Sequence, residues 1–580
     1  MYKTSLTMAA FLLSGIAVVH AAETTAPIIV TATRTAQTAD ETLASVTVIA
    51  REEIEQSQAN SVVELIQNRT VGVDLTRNGG LGTNTSLLLR GTNSNHVLVL
   101  IDGVRVNSAI DGNFKWANLP LEQIERIEIV RGPRSTLYGS DAIGGVVQIF
   151  TRKTEGFHAT VSGGSYSTWR TELGNGGAVG AGSYHFNVGY QESGGFSAAK
   201  PGTFGYEPDD DGYSNANLGA GISYPLGDSS KLSFNLLHSD GEVETDAGSS
   251  TQRNDSGGLS LDWTTSERWQ QTFTLGHAED HYETDSGYKV HSLRDSVSWQ
   301  HDVQMSDRDL VTLGADYVAE NGESEGSYDE NTYNGALFAQ YQWSGERLDL
   351  LLGARGDQHS GFGRHNTGNI TLGGKLGGGR LYVSYGSAFK APTFLQRYYP
   401  GYGNPALEPE ESATAELGYR IGALQASLFE THVENLIEFT YPAGYNNVSR
   451  AHIQGAELEY GRQIGHWQLN GGLTLQKAED EDSGEQLLRR AEKKLFFTAN
   501  GPLSSRTSAG IEVNYTGPRM DRGNVELVSY TLLNLTGEYR LARQWSVKGR
   551  IENLLDEDYE LASGYNTPGA SAYLTLSYQQ

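Results

Sequence analysis

The sequence predicts an all-β membrane protein, a large antiparallel transmembrane barrel preceded by a smaller mixed α/β unit. Three observations carry that prediction. The 580 residues are rich in strand and turn formers, with 70 Gly, 30 Tyr, 17 Phe and 8 Trp, although only 38% of the chain is hydrophobic. The chain opens on an export leader, yet no later stretch offers the roughly 18 consecutive apolar residues a transmembrane helix needs. From residue 154 onward, short segments alternate apolar and polar side chains between clusters of Gly, Asn, Asp and Ser, the dyad expected when one residue faces lipid and the next a wet interior.

The elements follow in chain order. Lys3, the apolar run from Met8 to Val19 and the small residues Ala21 and Ala22 fit a signal peptide over residues 1–21. Residues 22–35 form a separate N-terminal segment, residues 36–153 the α/β unit and residues 154–580 the barrel. Within the α/β unit, a short strand surrounds Thr47 and Ile49. Arg51 to Gln67 reads as a helix whose stripe is Ile54, Val62, Leu65 and Ile66. His96 to Val106 is an apolar run broken by Asp102-Gly103, a hairpin signal, and Ile124 to Val130 alternates as a strand with one apolar face.

In the barrel, Tyr184, Phe186, Val188 and Tyr190 alternate, as do Leu232, Phe234 and Leu236, then Trp467, Leu469, Leu473 and Leu475, then Trp545, Val547 and Ile551. Shared among 22 strands, residues 154–580 leave about 19 residues for each strand and its connection. Sixteen or eighteen strands with longer loops satisfy the same count. Ala572, Leu574, Leu576 and Tyr578 alternate as a closing strand ahead of Gln579 and Gln580. A soluble β-propeller or sandwich array is the alternative architecture, but no repeat of fixed period with a blade signature is present.

Bulk chemistry excludes several functions. There is no Cys, hence no disulfide, thiolate nucleophile or thiolate metal ligand. A formal net charge of -27 opposes nucleic acid as a partner and favours divalent cations or cationic patches. His277 and His281 are spaced as on a zinc helix, but HAEDH lacks the glutamate placement of HExxH and lies in strand-like sequence, so no catalytic site is expected.

Two segments point to a family. RGPRSTLYGSDAIGGVV (Arg131 to Val147) resembles the plug signature of TonB-dependent outer-membrane receptors, and APIIVTATR (Ala26 to Arg34) resembles their TonB box. RGTNSNHVLVLIDGVRVN (Arg90 to Asn107), FGRHNTG (Phe362 to Gly368), LLRRA (Leu487 to Ala491) and ENLLDEDY (Glu552 to Tyr559) follow in order. Together they are similar to the cobalamin-transporting branch of that family. The resemblance implies a 22-stranded barrel with an α/β plug inside its lumen, in a bacterial outer membrane, bound by lipid and lipopolysaccharide and acting as a monomer. It implies an inner-membrane TonB partner and a corrinoid ligand. Ile28, Ile29, Val30, Thr31 and Ala32 would form the box, a β-prone handle able to pair with a partner's sheet edge. Arg126, Arg131 and Arg134 stand near the plug signature, where ion pairs with barrel carboxylates could hold the plug until force is applied.

The resemblance also implies site residues. Corrinoid contacts map onto Asn84, Ser86 and Asn93 in a first plug apex, Ile110 and Asp111 in a second, and Arg489 in the barrel, whereas a tyrosine contact of the family aligns with Asn524. Glu207, Asp209 and Asp211 stand at alternate positions before Gly212, which in an extended loop puts three carboxylates on one side. By resemblance these three, with Asp246 and Asp255, would bind calcium and order the extracellular loops, although one family carboxylate expected near Phe196 is missing. Two readings stand beside cobalamin transport: a siderophore or heme receptor on the same scaffold, and a surface binding protein that transports nothing.

Overall fold

A computed structural model describes residues 29–30, 34, 37–38, 42–203 and 205–580. The signal peptide and Ile28, Thr31 and Ala32 of the box lie outside the described residues. Twenty-two antiparallel strands close into a barrel that begins at Gly156–Gly164 and ends at Ser571–Gln579. These first and last strands seal the cylinder from His158 opposite Gln579 to Gly164 opposite Tyr573. The count therefore resolves at 22, not 16 or 18.

The alternation read from sequence becomes the two faces of the wall. Phe186 and Val188 point outward at 41% and 42% exposure, while Asn187 between them is buried in the lumen. Such large apolar groups would be a liability in water, and in lipid they are the favourable contact. At one end of the barrel the connections between strands are two to four residues long; at the other they include residues 197–210, 391–409, 481–492, 517–529 and 553–570. Long loops mark the extracellular end and short turns the periplasmic end.

The lumen holds the plug. Its five-stranded sheet runs in the order Val46–Ile49, Ile124–Arg131, Gly145–Thr151, Val97–Ile101, Val104–Arg105, with one parallel pairing, between Gly145–Thr151 and Val97–Ile101. Ile49, Leu65, Ile66, Leu89, Ile127, Ile129 and Val147 form its apolar core. Asp102 and Gly103, at φ 47° and 86°, make the expected hairpin turn, and the Asp102 carboxylate accepts from the Thr151 N–H at 3.1 Å. The paired glycines of the plug signature have a steric cause: a Cβ on Gly145 would lie 2.2 Å from the Val130 carbonyl, and one on Gly144 would lie 2.2 Å from Thr92 Oγ1.

The helix expected over Arg51 to Gln67 is two helices, Arg51–Ser57 and Val62–Gln67. Gln58 turns into the left-handed region at φ 52°, and Ser61 starts the second helix by accepting from the Glu64 N–H at 3.4 Å. The apolar stripe survives the break because both helices bury Ile54, Val62, Leu65 and Ile66.

Candidate functional site

Buried ion pairs join plug to wall. Arg90 reaches Glu416 at 3.0 Å and Glu457 at 2.8 Å, with its guanidinium 4.4 Å from the Phe429 ring centre. Arg131 meets Glu457 at 3.3 Å and Glu459 at 3.1 Å and donates to Thr47 Oγ1 at 2.6 Å. Glu416 also accepts from Ser45 Oγ at 2.6 Å and Tyr382 OH at 2.8 Å. A second junction pairs Arg69 of the plug with Glu512 at 2.7 Å, which Arg550 of the wall also contacts at 3.0 Å. Arg131 thus meets barrel carboxylates as expected, and Arg134 lies close enough to Glu416 to feel its charge. Arg126 does otherwise: it pairs with Glu128 of its own strand at 2.8 Å and covers the Phe150 ring. Arg90 and Arg69 escaped the sequence reading because their partners lie more than 300 residues away along the chain.

The N-terminal segment enters the same lumen. Ile29–Val30 pairs antiparallel with Gln37–Thr38, so two box residues already make main-chain strand bonds. Arg34, just beyond the box, holds Asp316 of the wall with both terminal nitrogens at 3.2 and 3.1 Å and lies 4.8 and 4.6 Å from the ring centres of Tyr138 and Phe338.

At the extracellular end, Asn84 is exposed on a turn closed by the Asn78 N–H on its carbonyl at 3.3 Å, and Ser86 is half-buried beside it. Asn93 accepts from Arg490, and Ser94 Oγ donates to Asn113 at 2.6 Å, which ties the first apex to the second. Asp111 accepts from Lys115 at 2.8 Å and from the Asn113 N–H at 2.9 Å, and the Lys115 charge helps hold its carboxyl below the usual range against burial. Ile110 is buried, and its carbonyl accepts from the Leu395 N–H at 2.8 Å, so it anchors the loop helix Phe394–Tyr398 from below. Arg489, at φ 67°, is engaged by Asp521 at 2.6 Å, and Asn524 is exposed in the same loop layer.

An aromatic group that the sequence reading passed over completes the mouth. Tyr399 stacks on Tyr402 at 5.8 Å, Tyr402 meets Phe439 at 5.6 Å, and Phe439 meets Tyr445 at 5.1 Å. Tyr288, Tyr328 and Tyr445 all lie within electrostatic reach of Asp111. The available signal was RYYPGYG at Arg397 to Gly403, three tyrosines in five positions.

The acidic loop is only partly as expected. Asp246 accepts from the Glu207 N–H at 2.7 Å and the Ala199 N–H at 3.0 Å; Asp211 accepts from the Ala198 N–H at 2.5 Å. Asp211 stands at the extracellular tip of its strand, above the apolar band. Burial first, then the charges of Asp246, Asp209 and Glu244, push it up to about 6 against the lowering effect of the Ala198 N–H. Glu244, absent from the sequence reading, therefore belongs to the cluster, and it accepts from the Gly212 N–H at 3.1 Å. Asp255 does not belong. It faces outward on Gly248–Ser266, bonded to His238 at 2.6 Å, about 20 Å down the strand from the Asp246 turn at the usual rise per residue. The loop also lies directly over the first apex, since a Cβ on Gly79 would be 2.5 Å from that of Ala198.

A lipid-facing barrel, a plug clamped in its lumen by buried ion pairs, and an N-terminal segment held to the wall through Arg34 define an energised outer-membrane receptor. Family profiles agree: "TonB-dependent Receptor Plug Domain" matches residues 38–146 and "TonB dependent receptor-like, beta-barrel" residues 151–554. The chain belongs to the TonB-dependent receptors, outer-membrane transport proteins of bacteria and not enzymes. It is 32% identical over 621 residues to the vitamin B12 transporter BtuB of Vibrio cholerae serotype O1, with 100% of each chain covered. It is 30% identical over 591 residues to BtuB of Photobacterium profundum, with 95% of each covered. Among solved structures, the siderophore receptor PirA of Acinetobacter baumannii superposes with a TM-score of 0.78 at 19% identity, covering 92% of this chain and 98% of that one. A ferric enterobactin receptor PfeA mutant of Pseudomonas aeruginosa gives 0.79 at 19% identity, with 92% and 98% covered. At that identity the likeness is one of fold.

Proposed function

We propose that this receptor imports a cobalamin or related corrinoid. The observation that carries the reading is full-length identity of 30–32% to vitamin B12 transporters, together with a binding mouth of suitable chemistry. A corrin offers a broad ring with a rim of neutral amides. Asn84, Ser86 and Asn93 supply neutral hydrogen-bonding groups, and the tyrosine layer around Asp111 supplies flat apolar surface with polar tips. Three cations near the mouth are matched by carboxylates, Lys115 by Asp111, Arg489 by Asp521 and Lys390 by Asp141, and the buried Arg490 donates to Asn93 and to the Gly91 and Leu488 carbonyls. A trianionic ferric catecholate would need unmatched positive charge in that position. Binding over the apices would precede a pull by TonB on the N-terminal strand, which must break the Arg90 and Arg131 clamps before a path opens.

The proposal includes calcium in the acidic loop. Asp246 and Asp211 meet the same loop backbone at Ala199 and Ala198, Glu244 caps the Gly212 N–H, and the charges of Asp246, Asp209 and Glu244 add to burial in raising the proton affinity of Asp211, a setting that supports an oxygen-ligated divalent cation. Asp209, Asp211 and Asp246 would hold the ion, with Glu207 and Glu244 beside them. Bound calcium would stiffen a loop that covers the first apex and so strengthen ligand binding by linkage.

Equilibrium binding of the purified receptor to cyanocobalamin, beside ferric enterobactin, tests the reading. Saturable cyanocobalamin binding with no enterobactin binding is expected. The reverse preference would replace the corrinoid by a siderophore on the same scaffold.

A further inference from the structure

We propose that Glu430, His432 and His452 form a metal site on the outer wall of the barrel, suited to a divalent ion of the zinc type and separate from the ligand path. Strand register builds it. Leu424–Thr440 and Gly444–Ile464 pair so that His432 stands directly opposite His452 and Glu430 opposite Gln454. Side chains two apart on a strand share a face, so the three point outward together. Their donor atoms all lie within 4.8 Å of one another. Glu430 Oε1 is 2.9 Å from His452 Nε2 and 3.6 Å from His432 Nε2.

The surroundings orient these donors. His432 Nδ1 lies 3.0 Å from Glu481, an acceptor that places the ring proton on Nδ1 and leaves the Nε2 lone pair toward Glu430. A carboxylate on the far nitrogen of a histidine is the usual support of a metal-bound imidazole. The two rings lie parallel, 6° apart, with centres at 4.5 Å. Zinc–nitrogen bonds of about 2.0–2.1 Å require the nitrogens to close slightly on each other. The side chains have room for that rotation, being 51% exposed at His432, 25% at His452 and 55% at Glu430.

The donor set selects the ion. Two imidazoles and one carboxylate suit zinc and its neighbours, whereas calcium takes oxygen ligands, so this site and the acidic loop draw on different metals. Three protein ligands leave one coordination position open. Leu428 and Leu458, outward on the same two strands nearer the periplasm, belong to the lipid band, so the open position faces outward at the height of the lipid headgroups. Glu481 also begins the connection that carries Arg489 and Arg490. An ion on His432 would therefore fix the base of a loop that reaches the first plug apex.

The test uses the full receptor in detergent with excess Ca2+ present, titrated with Zn2+ by calorimetry and with Co2+ by visible absorption. Wild type should bind one more equivalent of Zn2+ than His432→Ala/His452→Ala and should show tetrahedral Co2+ bands that the double variant lacks. Glu430→Gln, which preserves shape, should weaken that equivalent, and Glu481→Gln should weaken it by about 10–100-fold. Heat-modifiable electrophoretic mobility should stay that of a closed barrel in every variant, as expected for outward, exposed side chains. Equal stoichiometry and affinity in wild type and double variant, or a Co2+ spectrum indifferent to the substitutions, would overturn the proposal.

Discussion

Replacing Arg90 by alanine should loosen the plug without disturbing the barrel. The substitution strips Glu416 of its 3.0 Å partner and Glu457 of its 2.8 Å partner inside a buried junction. Glu416 keeps the hydroxyls of Ser45 and Tyr382, and Glu457 keeps Arg131 and Ser427. Breaking a buried pair by removing one partner costs about 3–5 kcal/mol, and these surviving bonds place the cost near 3 kcal/mol. With a urea dependence of about 1–3 kcal/mol/M, the plug's unfolding midpoint should fall by about 1–3 M while the barrel transition stays in place. A single-cysteine spin or fluorescence label on the plug reads this cleanly, because the chain has no Cys of its own. Adding Glu416→Gln should recover part of the loss, since the buried charge then disappears with its partner. A midpoint that Arg90→Ala leaves unmoved would refute the clamp.

Other outcomes follow from the same geometry. Arg34→Ala removes a two-point contact with Asp316 worth about 2 kcal/mol, so exchange of the Ile29 and Val30 strand amides, which pair with Thr38 and Gln37, should speed up by about 30-fold without ligand; unchanged exchange would count against the hold. Asp209→Asn with Asp211→Asn should abolish calcium-dependent strengthening of cyanocobalamin binding, whereas Asp255→Asn should leave it intact, and calorimetry of Ca2+ binding separates the two. Tyr578 packs against Phe157 at 6.0 Å across the barrel seam and against Trp545 of the preceding strand at 5.0 Å, so Tyr578→Asp should block surface expression while deletion of Gln579 and Gln580 should not. Equal surface expression of the two would show that the seam aromatic is dispensable.

Strand alternation made the wall legible in the sequence, and turn chemistry made the Asp102-Gly103 hairpin legible, because both are set by residues a few positions apart. The break at Gln58 was hidden, since the stripe from Ile54 to Ile66 continues in phase across it. Contacts across strands were harder to read. Alternation says that Asp255 and Asp246 each take a face, but only the register shows Asp255 outward beside His238 and Asp246 in the loop above. The clamps at Arg90 and Arg69 were invisible for a related reason: a lone arginine in a plug does not announce which of the chain's 70 acidic residues folding will bring to it. Glu244 and the tyrosines around Asp111 entered the site through loop packing, which carries no periodic signal.

Energised corrinoid import is tested most directly by uptake of labelled cyanocobalamin into cells that carry this receptor as their only outer-membrane route. Uptake should require TonB, and it should be lost in Ile29→Pro, which deletes a main-chain donor from the strand TonB would pull. Surface binding of cyanocobalamin should persist in that variant. Uptake that continues without TonB or in Ile29→Pro, or cells that bind cyanocobalamin and never accumulate it, would contradict the account.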